Sequence, residues 1–372
     1  SLSEDGDTRK RALELRLAVE RSLFALGEYG RCLVLVGEAA ALARTLDDRA
    51  QLGWVLASMA RVLRLTGDHD GAMAAGQQVL DLAAALGDSA LQVQALLTLG
   101  QVCLSLGDFG RAAELLRRSV EAVDREAGAP NTDVQIVTRA FLALTLGALG
   151  AFAEGRRHGE EALRLAMLAG RGLTPIMAHG ALGDLYLAHG DLEPAMQVLE
   201  QGLALCRASS NRSGFSRRIV AGLGAAYALQ GRLTEGRALV EEAISEDIHT
   251  GARRAVHWAW LSEVCRLAGR YEEAWQHVRQ ALALARQLKE RGNEALALHQ
   301  LGVVLAHADP PDVAPAEAYY QQALALADER GMRPLVAHCH RGLGTLYAVT
   351  GQRKQARTAQ FMAIEMYRDM DM

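Results

Sequence analysis

Lysine and cysteine are scarce in this sequence. Arginine carries nearly all of the positive charge, because only three of the 40 basic residues are lysines: Lys10, Lys289 and Lys354. This bias is typical of a GC-rich bacterial gene. The five cysteines are far apart and form no Cys-x-x-Cys pair, which predicts a reduced, cytoplasmic protein. They are Cys32, Cys103, Cys206, Cys265 and Cys339.

The motifs that carry catalysis and cofactor binding are also missing. No lysine follows a glycine, which excludes a phosphate-binding loop, and neither His-Glu-x-x-His nor Gly-x-Ser-x-Gly occurs. We therefore expect no enzyme activity, no cofactor and no metal. The net charge of -4 supplies no basic field for nucleic acid or an anionic membrane. The longest apolar run, Ala140 to Ala153, is too short to span a bilayer.

What the sequence does contain is a repeat of about 40 residues. Glycines recur at Gly27, Gly67, Gly107, Gly150, Gly190, Gly231, Gly269 and Gly351, and the segment at Pro310 fills the one gap. A small residue, usually preceded by leucine, stands seven positions before most of them. The pattern Leu-Gly-x-x-Tyr appears three times, starting at Leu182, Leu223 and Leu343. Helical spacing on both sides of each glycine predicts pairs of antiparallel helices.

This pattern resembles the tetratricopeptide repeat family. The resemblance implies an all-α, right-handed superhelical solenoid of about nine helix hairpins, in which repeats of about 40 residues replace the usual 34. We expect an N-terminal tail over residues 1–8 and one continuous array over 9–372. Its turns should lie near residues 27, 67, 107, 150, 190, 231, 269, 310 and 351.

The resemblance also implies where a ligand binds. The first helix of each hairpin should line a concave groove, with positions six and three before the small residue, and one and four after it, facing inward. Six of the thirteen residues selected in this way are arginines, which favours an acidic peptide or protein partner. The alternative is that such grooves are polar by default. The thirteen are Arg21, Trp54, Arg61, Arg64, Gln94, Gln101, Asp184, Arg218, Glu263, Arg266, His299, His338 and Arg341.

Two other clusters have simpler interpretations. His338, Cys339 and His340 are consecutive, so on a helix their side chains diverge and cannot share a metal ion. Trp258 and Trp260 are better explained by packing between hairpins than by base stacking.

The segment from Met332 to Arg357 resembles the last repeats of large bacterial signalling proteins, in which a nucleotide-binding ATPase, class III cyclase or kinase module precedes the repeat array. The maltose-regulator type of transcription activator has a similar sensor array. We therefore expect a protein- or peptide-binding scaffold, the regulatory arm of a larger signalling protein. An array that senses a small molecule is the alternative. A methionine-rich last helix also predicts self-association through the C-terminal end, and no nucleic-acid or membrane partner is expected.

Overall fold

The computed structural model describes residues 6–125, 132–169, 172–209, 214–245, 254–308 and 310–372. Within these ranges the chain forms eighteen helices and no strand. They are α1 (Gly6–Ala25), α2 (Tyr29–Thr45), α3 (Arg49–Thr66), α4 (His69–Leu86), α5 (Ser89–Leu106), α6 (Phe109–Arg125), α7 (Thr132–Leu149), α8 (Phe152–Ala169), α9 (Thr174–His189), α10 (Leu192–Ala208), α11 (Gly214–Leu229), α12 (Leu233–Ser245), α13 (Arg254–Leu267), α14 (Tyr271–Gln287), α15 (Arg291–Ala306), α16 (Val313–Glu329), α17 (Arg333–Val349) and α18 (Arg353–Asp369).

Each odd-numbered helix packs on the even-numbered helix that follows it, and each pair packs on the next pair. We call them helix A and helix B of a hairpin. The prediction of an all-α solenoid of about nine hairpins is confirmed. Helix α1 begins at Gly6, inside the segment expected to be a tail, and residues 1–5 lie outside the described part of the chain.

Glycine ends many of the A helices because the chain turns through the left-handed region there. Gly67, Gly107 and Gly190 have φ values of 89°, 81° and 99°, which residues with a Cβ adopt only at a cost. The aspartate after the glycine caps helix B in two hairpins: Asp68 accepts from the Gly71 amide at 2.9 Å, and Asp108 accepts from the Arg111 amide at 3.3 Å.

Asp191, which follows Gly190 in the same way, does not cap its helix. Its side chain makes no capping bond to helix α10. The carboxylate instead accepts a hydrogen bond from Arg156 Nη2 at 2.7 Å and lies 2.9 Å from His189 Nδ1. An ion pair with the preceding hairpin has replaced the cap.

Small residues let the two helices of a hairpin approach closely. A methyl group added at Gly183 would lie 2.5 Å from Leu199, and one added at Gly100 would lie 2.7 Å from Leu116. At Gly224 the obstacle would be the carbonyl oxygen of Gly236, 2.6 Å away. These distances are far below van der Waals contact, so the small residue seven positions before the turn is required by packing.

The tyrosine of the Leu-Gly-x-x-Tyr pattern joins neighbouring hairpins. The hydroxyl groups of Tyr186, Tyr227 and Tyr347 donate to carboxylates on helix B of the preceding hairpin, at 3.3, 2.8 and 2.7 Å. Those carboxylates belong to Glu160, Glu200 and Glu317. The signature therefore contains one residue for packing within a hairpin and one for stacking between hairpins.

Two A helices, α5 and α7, are long and apolar enough to cross a membrane. In the solenoid both are packed among neighbouring helices, and more than half of each is buried. Their apolar character is that of core helices, and two such helices are weak grounds for a membrane assignment.

The solenoid curves until its first half touches its second half, along a line of contacts that we call the seam. Lys289 donates to Asp70 at 2.6 Å across 219 residues of sequence. Beside this pair, His69 Nε2 lies 3.8 Å from a carboxylate oxygen of Glu290, and both residues are 2% exposed. The seam therefore includes a buried polar contact as well as an exposed ion pair.

Backbone also meets backbone at the seam. A methyl group at Gly107 would lie 2.4 Å from the amide nitrogen of Gly292, and one at Gly292 would lie 2.7 Å from the ring of Phe109. Further along, Met370 is 4% exposed and packs in one apolar cluster with Phe152. The C-terminal end of α18 is thus held against the start of α8.

We expect Gly107→Ala to be more destabilising than Gly87→Ala. Both glycines have a left-handed backbone, but no atom lies within 4 Å of a methyl group at Gly87. Gly87→Ala should cost about 1 kcal/mol of unfolding free energy from backbone strain alone, and Gly107→Ala at least about 2 kcal/mol more because it also forces the seam apart.

Urea unfolding measures this difference, and small-angle scattering of Gly107→Ala should show a larger radius of gyration. Equal unfolding free energies for the two variants would show that the seam contributes nothing to stability.

Candidate functional site

The A helices enclose one large cavity of about 860 Å³. Its walls come from α5, α7, α9, α11, α13, α15 and α17, with Phe109 and Tyr320 contributed by B helices. Most of the lining is apolar, including Leu104, Leu185 and Trp260. A concave, largely apolar cavity with a few polar groups is the usual form of a ligand site.

The cavity gathers the predicted groove residues that lie on hairpins five to nine. Among the described residues, hairpins one and two contribute nothing to its lining. Of the thirteen predicted groove residues, seven line the cavity: Asp184, Arg218, Glu263, Arg266, His299, His338 and Arg341.

The other six do not line the cavity. Four of them lie on α1 and α3, in the first two hairpins, and the other two lie on a part of α5 that is packed among neighbouring helices. Arg21 and Trp54 are exposed on the surface. Gln101 is buried in α5, and Gln94 is half-buried with its amide 3.4 Å from the Thr98 hydroxyl. The remaining two are Arg61 and Arg64.

Arg61 and Arg64 have structural environments of their own. Arg61 donates to Glu20 at 2.9 Å and lies over the Phe24 ring at 3.9 Å. Arg64 is 2% exposed, and burial lowers the pKa of its guanidinium to about 10. Neither guanidinium is placed to meet a ligand in the cavity.

Carboxylates neutralise two of the three arginines that line the cavity. Arg218 donates to Asp184 from the neighbouring A helix. Arg266 makes a bidentate pair with Glu263 at 2.7 and 2.8 Å. The cavity is therefore far less cationic than the count of arginines in the sequence suggests, since each of these two charges already has a close partner.

A cluster of aromatic polar side chains occupies the wall made by α15 and α17. The rings of His299 and His338 are 6.1 Å apart, and His299 is 5.7 Å from the ring of Tyr320. His338 Nδ1 and the Tyr367 hydroxyl share a hydrogen bond of 2.6 Å. Arg341 follows His338 by one turn of α17 and also lines the cavity.

Both histidines are uncharged at neutral pH. Burial, with a smaller contribution from the positive charge of Arg341, lowers the pKa of His299 to about 4. For His338, burial and then the neighbouring His299 lower the pKa to about 3. These side chains therefore serve as neutral hydrogen-bonding groups.

Sequence reasoning missed the residues that the seam brings to the cavity. Glu290, Asn293 and Gln300 line it beside Phe109. Asn293 donates to Glu290 at 2.7 Å. Glu290 precedes helix α15, and Phe109 starts a B helix, so neither occupies a position that the repeat pattern assigns to the groove.

One group outside the cavity has the composition of a metal site: Cys265, Glu273 and His277. Glu273 already accepts from Arg237 at 2.9 Å, and burial raises the pKa of the Cys265 thiol. A nearby guanidinium and a protonated thiol both oppose a divalent cation. The arrangement is better explained as an ion pair between hairpins.

The family model of the tetratricopeptide repeat matches residues 93–122 and 178–209, which lie within hairpins three and five. Together with the stacked helix hairpins, these two matches give the chain the fold of a tetratricopeptide-repeat solenoid. No curated protein matches its sequence.

The solved structures that resemble the whole repeat array include the following three. A Rap protein in complex with competence and sporulation factor has a TM-score of 0.71 and 9% identity, over 96% of this chain and 98% of that one. The Rap conjugation gene regulator of the plasmid pLS20, in complex with the Phr* peptide, has a TM-score of 0.62 and 14% identity, over 93% and 95%. The apo form of the quorum sensor NprR from B. thuringiensis has a TM-score of 0.58 and 13% identity, over 96% and 98%. At these identities the likeness concerns the fold.

The depressed histidine pKa values predict how stability depends on pH. Below about pH 6.5 the unfolded chain protonates its histidines, whereas the folded chain keeps His299 and His338 neutral down to about pH 4. The unfolded state binds more protons in this window, so the unfolding free energy should fall as the pH falls from 6.5 to 4.

We expect His299→Gln to reduce this loss by about 1–2 kcal/mol, since one pKa unit corresponds to about 1.4 kcal/mol and the ring is partly open to cavity water. Urea unfolding at pH 7 and pH 4.5 gives the measurement. His307→Gln, at the exposed end of the same helix, is the matched control, and a pH profile of His299→Gln identical to that of the wild type would contradict the assignment.

Proposed function

We propose that this chain is a regulatory receptor for a short peptide, which binds in the cavity enclosed by its A helices. The observation that carries the proposal is the cavity itself: about 860 Å³, walled by seven A helices, with apolar surface between separated polar groups. An extended peptide needs both kinds of surface, because polar groups must hydrogen-bond its backbone and apolar pockets must accept its side chains.

The structural relatives support a peptide as the ligand. Two of the structures described above are complexes, one with competence and sporulation factor and one with the Phr* peptide. This chain matches nearly the full length of each. We transfer from them the class of ligand only, since the sequences are too different to transfer a residue's role.

The ion pairs of Arg218 and Arg266 change the type of peptide that we propose, compared with the acidic partner predicted from the sequence. An acidic peptide would have to compete with Asp184 and Glu263 for Arg218 and Arg266. We therefore propose a mainly apolar peptide, and a strongly acidic one finds little support in this cavity.

A small-molecule effector is the second candidate, and the volume of the cavity favours it. Ligand pockets for small molecules commonly measure about 300–1,000 Å³, a range that includes this cavity. The two candidates differ in the length of molecule that the protein should retain.

The wider context of the array remains a proposal drawn from the sequence of Met332 to Arg357, namely that it regulates an attached ATPase, cyclase, kinase or transcription factor. Self-association through α18 is likewise a proposal. It is supported by the exposure of Phe361, Met362 and Ile364, whereas Met370 is already packed against the chain itself.

Retention of random peptides tests the proposed function. The protein is mixed with a pool of random hexapeptides, separated by gel filtration, and the retained peptides are identified by mass spectrometry. We expect wild type to retain a subset of peptides rich in apolar residues. Ala188→Trp should reduce that retention at least tenfold, because Ala188 is an exposed residue of the cavity wall and the indole would fill the space.

Ala204→Trp is the matched control, since Ala204 is exposed on helix B of the same hairpin and outside the cavity lining. It should retain the same peptides as wild type. Equal retention by Ala188→Trp and wild type would place the peptide elsewhere on the solenoid, and retention of no peptide, together with binding of small metabolites, would favour the second candidate.

A further inference from the structure

Arg341 differs from the other two arginines of the cavity. In the part of the chain that the structure describes, it makes no ion pair, whereas Arg218 and Arg266 each have a carboxylate partner. Its side chain is exposed to the cavity that it lines. A solvated guanidinium without a partner, within a largely apolar cavity, offers two parallel donors to an incoming anion.

The surroundings of Arg341 are suited to an anion with a single charge. His338 lies one turn earlier on α17, and His299 faces it from α15, with the two rings 6.1 Å apart. Both are neutral, so they add hydrogen-bonding groups without adding charge. The other charged or titratable groups near this cluster include the Glu263–Arg266 pair from α13, Tyr320 from α16, Cys339 from α17 and Tyr367 from α18. The Glu263–Arg266 pair is neutral as a whole.

Apolar side chains adjoin this cluster. Leu335 and Leu346 stand on either side of it along α17, and Val303 follows His299 by one turn of α15. All three line the cavity. A ligand whose carboxylate is bound by Arg341 could therefore place an adjoining apolar group against these side chains.

We propose that Arg341, His299 and His338 form a carboxylate-binding subsite, and that it receives the C-terminal carboxylate of the bound peptide. The inference rests on the proposed function, and it adds the chemical group that the cavity recognises. A free peptide always ends in a carboxylate next to one side chain, which is the combination that this wall of the cavity offers. A phosphate, with about two negative charges, fits one guanidinium and two neutral rings less well.

Two small probes test the subsite independently of any particular peptide. N-acetyl-leucine carries a carboxylate beside one apolar side chain, and N-acetyl-leucinamide is the same molecule without the charge. Binding is followed by the imidazole carbon and proton resonances of His299 and His338. We expect the acid to shift both signals and to bind at least about tenfold more tightly than the amide, because a charge-assisted bidentate pair is lost on amidation.

Arg341→Gln should bring the affinity for the acid down to that for the amide and leave the affinity for the amide unchanged. Arg341→Lys keeps the charge but not the two parallel donors, so it should restore part of the preference for the acid. Arg357→Gln removes an exposed arginine on α18 that lies outside the cavity lining, and it should behave as wild type.

The random hexapeptide pool distinguishes a terminal carboxylate from an acidic side chain. The pool is prepared with free and with amidated C-termini, each with and without Asp and Glu. We expect retention of free-acid peptides in both compositions and a loss of about tenfold on amidation. A preference that follows Asp and Glu rather than the C-terminus would overturn the assignment to the terminus.

Equal binding of the acid and amide probes to wild type, or a preference for the acid that survives in Arg341→Gln, contradicts the subsite. If amidated peptides are retained as well as free acids and Ala188→Trp still abolishes retention, the receptor function stands and the carboxylate subsite is wrong. If Ala188→Trp retains peptides normally while the probes behave as expected, Arg341 binds carboxylates, but the location proposed for the peptide is wrong and the subsite does not receive the C-terminus of the peptide.

Discussion

The closed form of the solenoid, and with it the cavity, depends on the close approach of Gly107 to Gly292. A solenoid of hairpins is in principle open, because each repeat touches only its neighbours. Here the absence of a Cβ at both positions lets two turns meet backbone to backbone, with the ring of Phe109 beside them. The concave face thereby becomes a partly enclosed cavity, walled mainly by the A helices from α5 to α17.

Closing the cavity changes the solvation and the effective charge of its polar residues. In an open groove an arginine is solvated and contributes a positive field to any passing ligand. In the enclosed cavity, Arg218 and Arg266 sit beside Asp184 and Glu263, and the two histidines stay neutral because water is partly excluded. In the proposed receptor, recognition would then depend on the few groups that lack a partner, rather than on the total charge.

Glu290 connects the seam to the cavity. Its carboxylate lies 3.8 Å from His69 across the seam and accepts from Asn293, and all but 2% of the residue is buried. Because the residue also lines the cavity, the packing that closes the solenoid and the surface proposed to bind a ligand share a side chain. Such sharing is a physical route by which ligand binding and closure of the array affect each other.

The sequence by itself determined the hairpins. Small residues such as Gly183 mark the crossing of two helices, glycines such as Gly67 mark the left-handed turn, and Tyr186 marks the stacking of one hairpin on the next. These are local requirements, because each involves residues within about one repeat of one another, so a periodic pattern reveals them. The same pattern placed seven of the thirteen groove residues on the cavity wall.

Only the tertiary structure decided where the groove closes and which of its charges are free. Lys289 meets Asp70 across 219 residues, and that contact depends on small rotations summed over several repeats, which no local pattern specifies. Hence the sequence could not show that Arg61 and Arg64 lie outside the cavity or that Phe109 and Glu290 line it. It also could not show that Arg218 has a carboxylate partner while Arg341 has none among the described residues. Whether side chains on neighbouring helices pair depends on how each helix is rotated about its own axis, which the sequence does not specify.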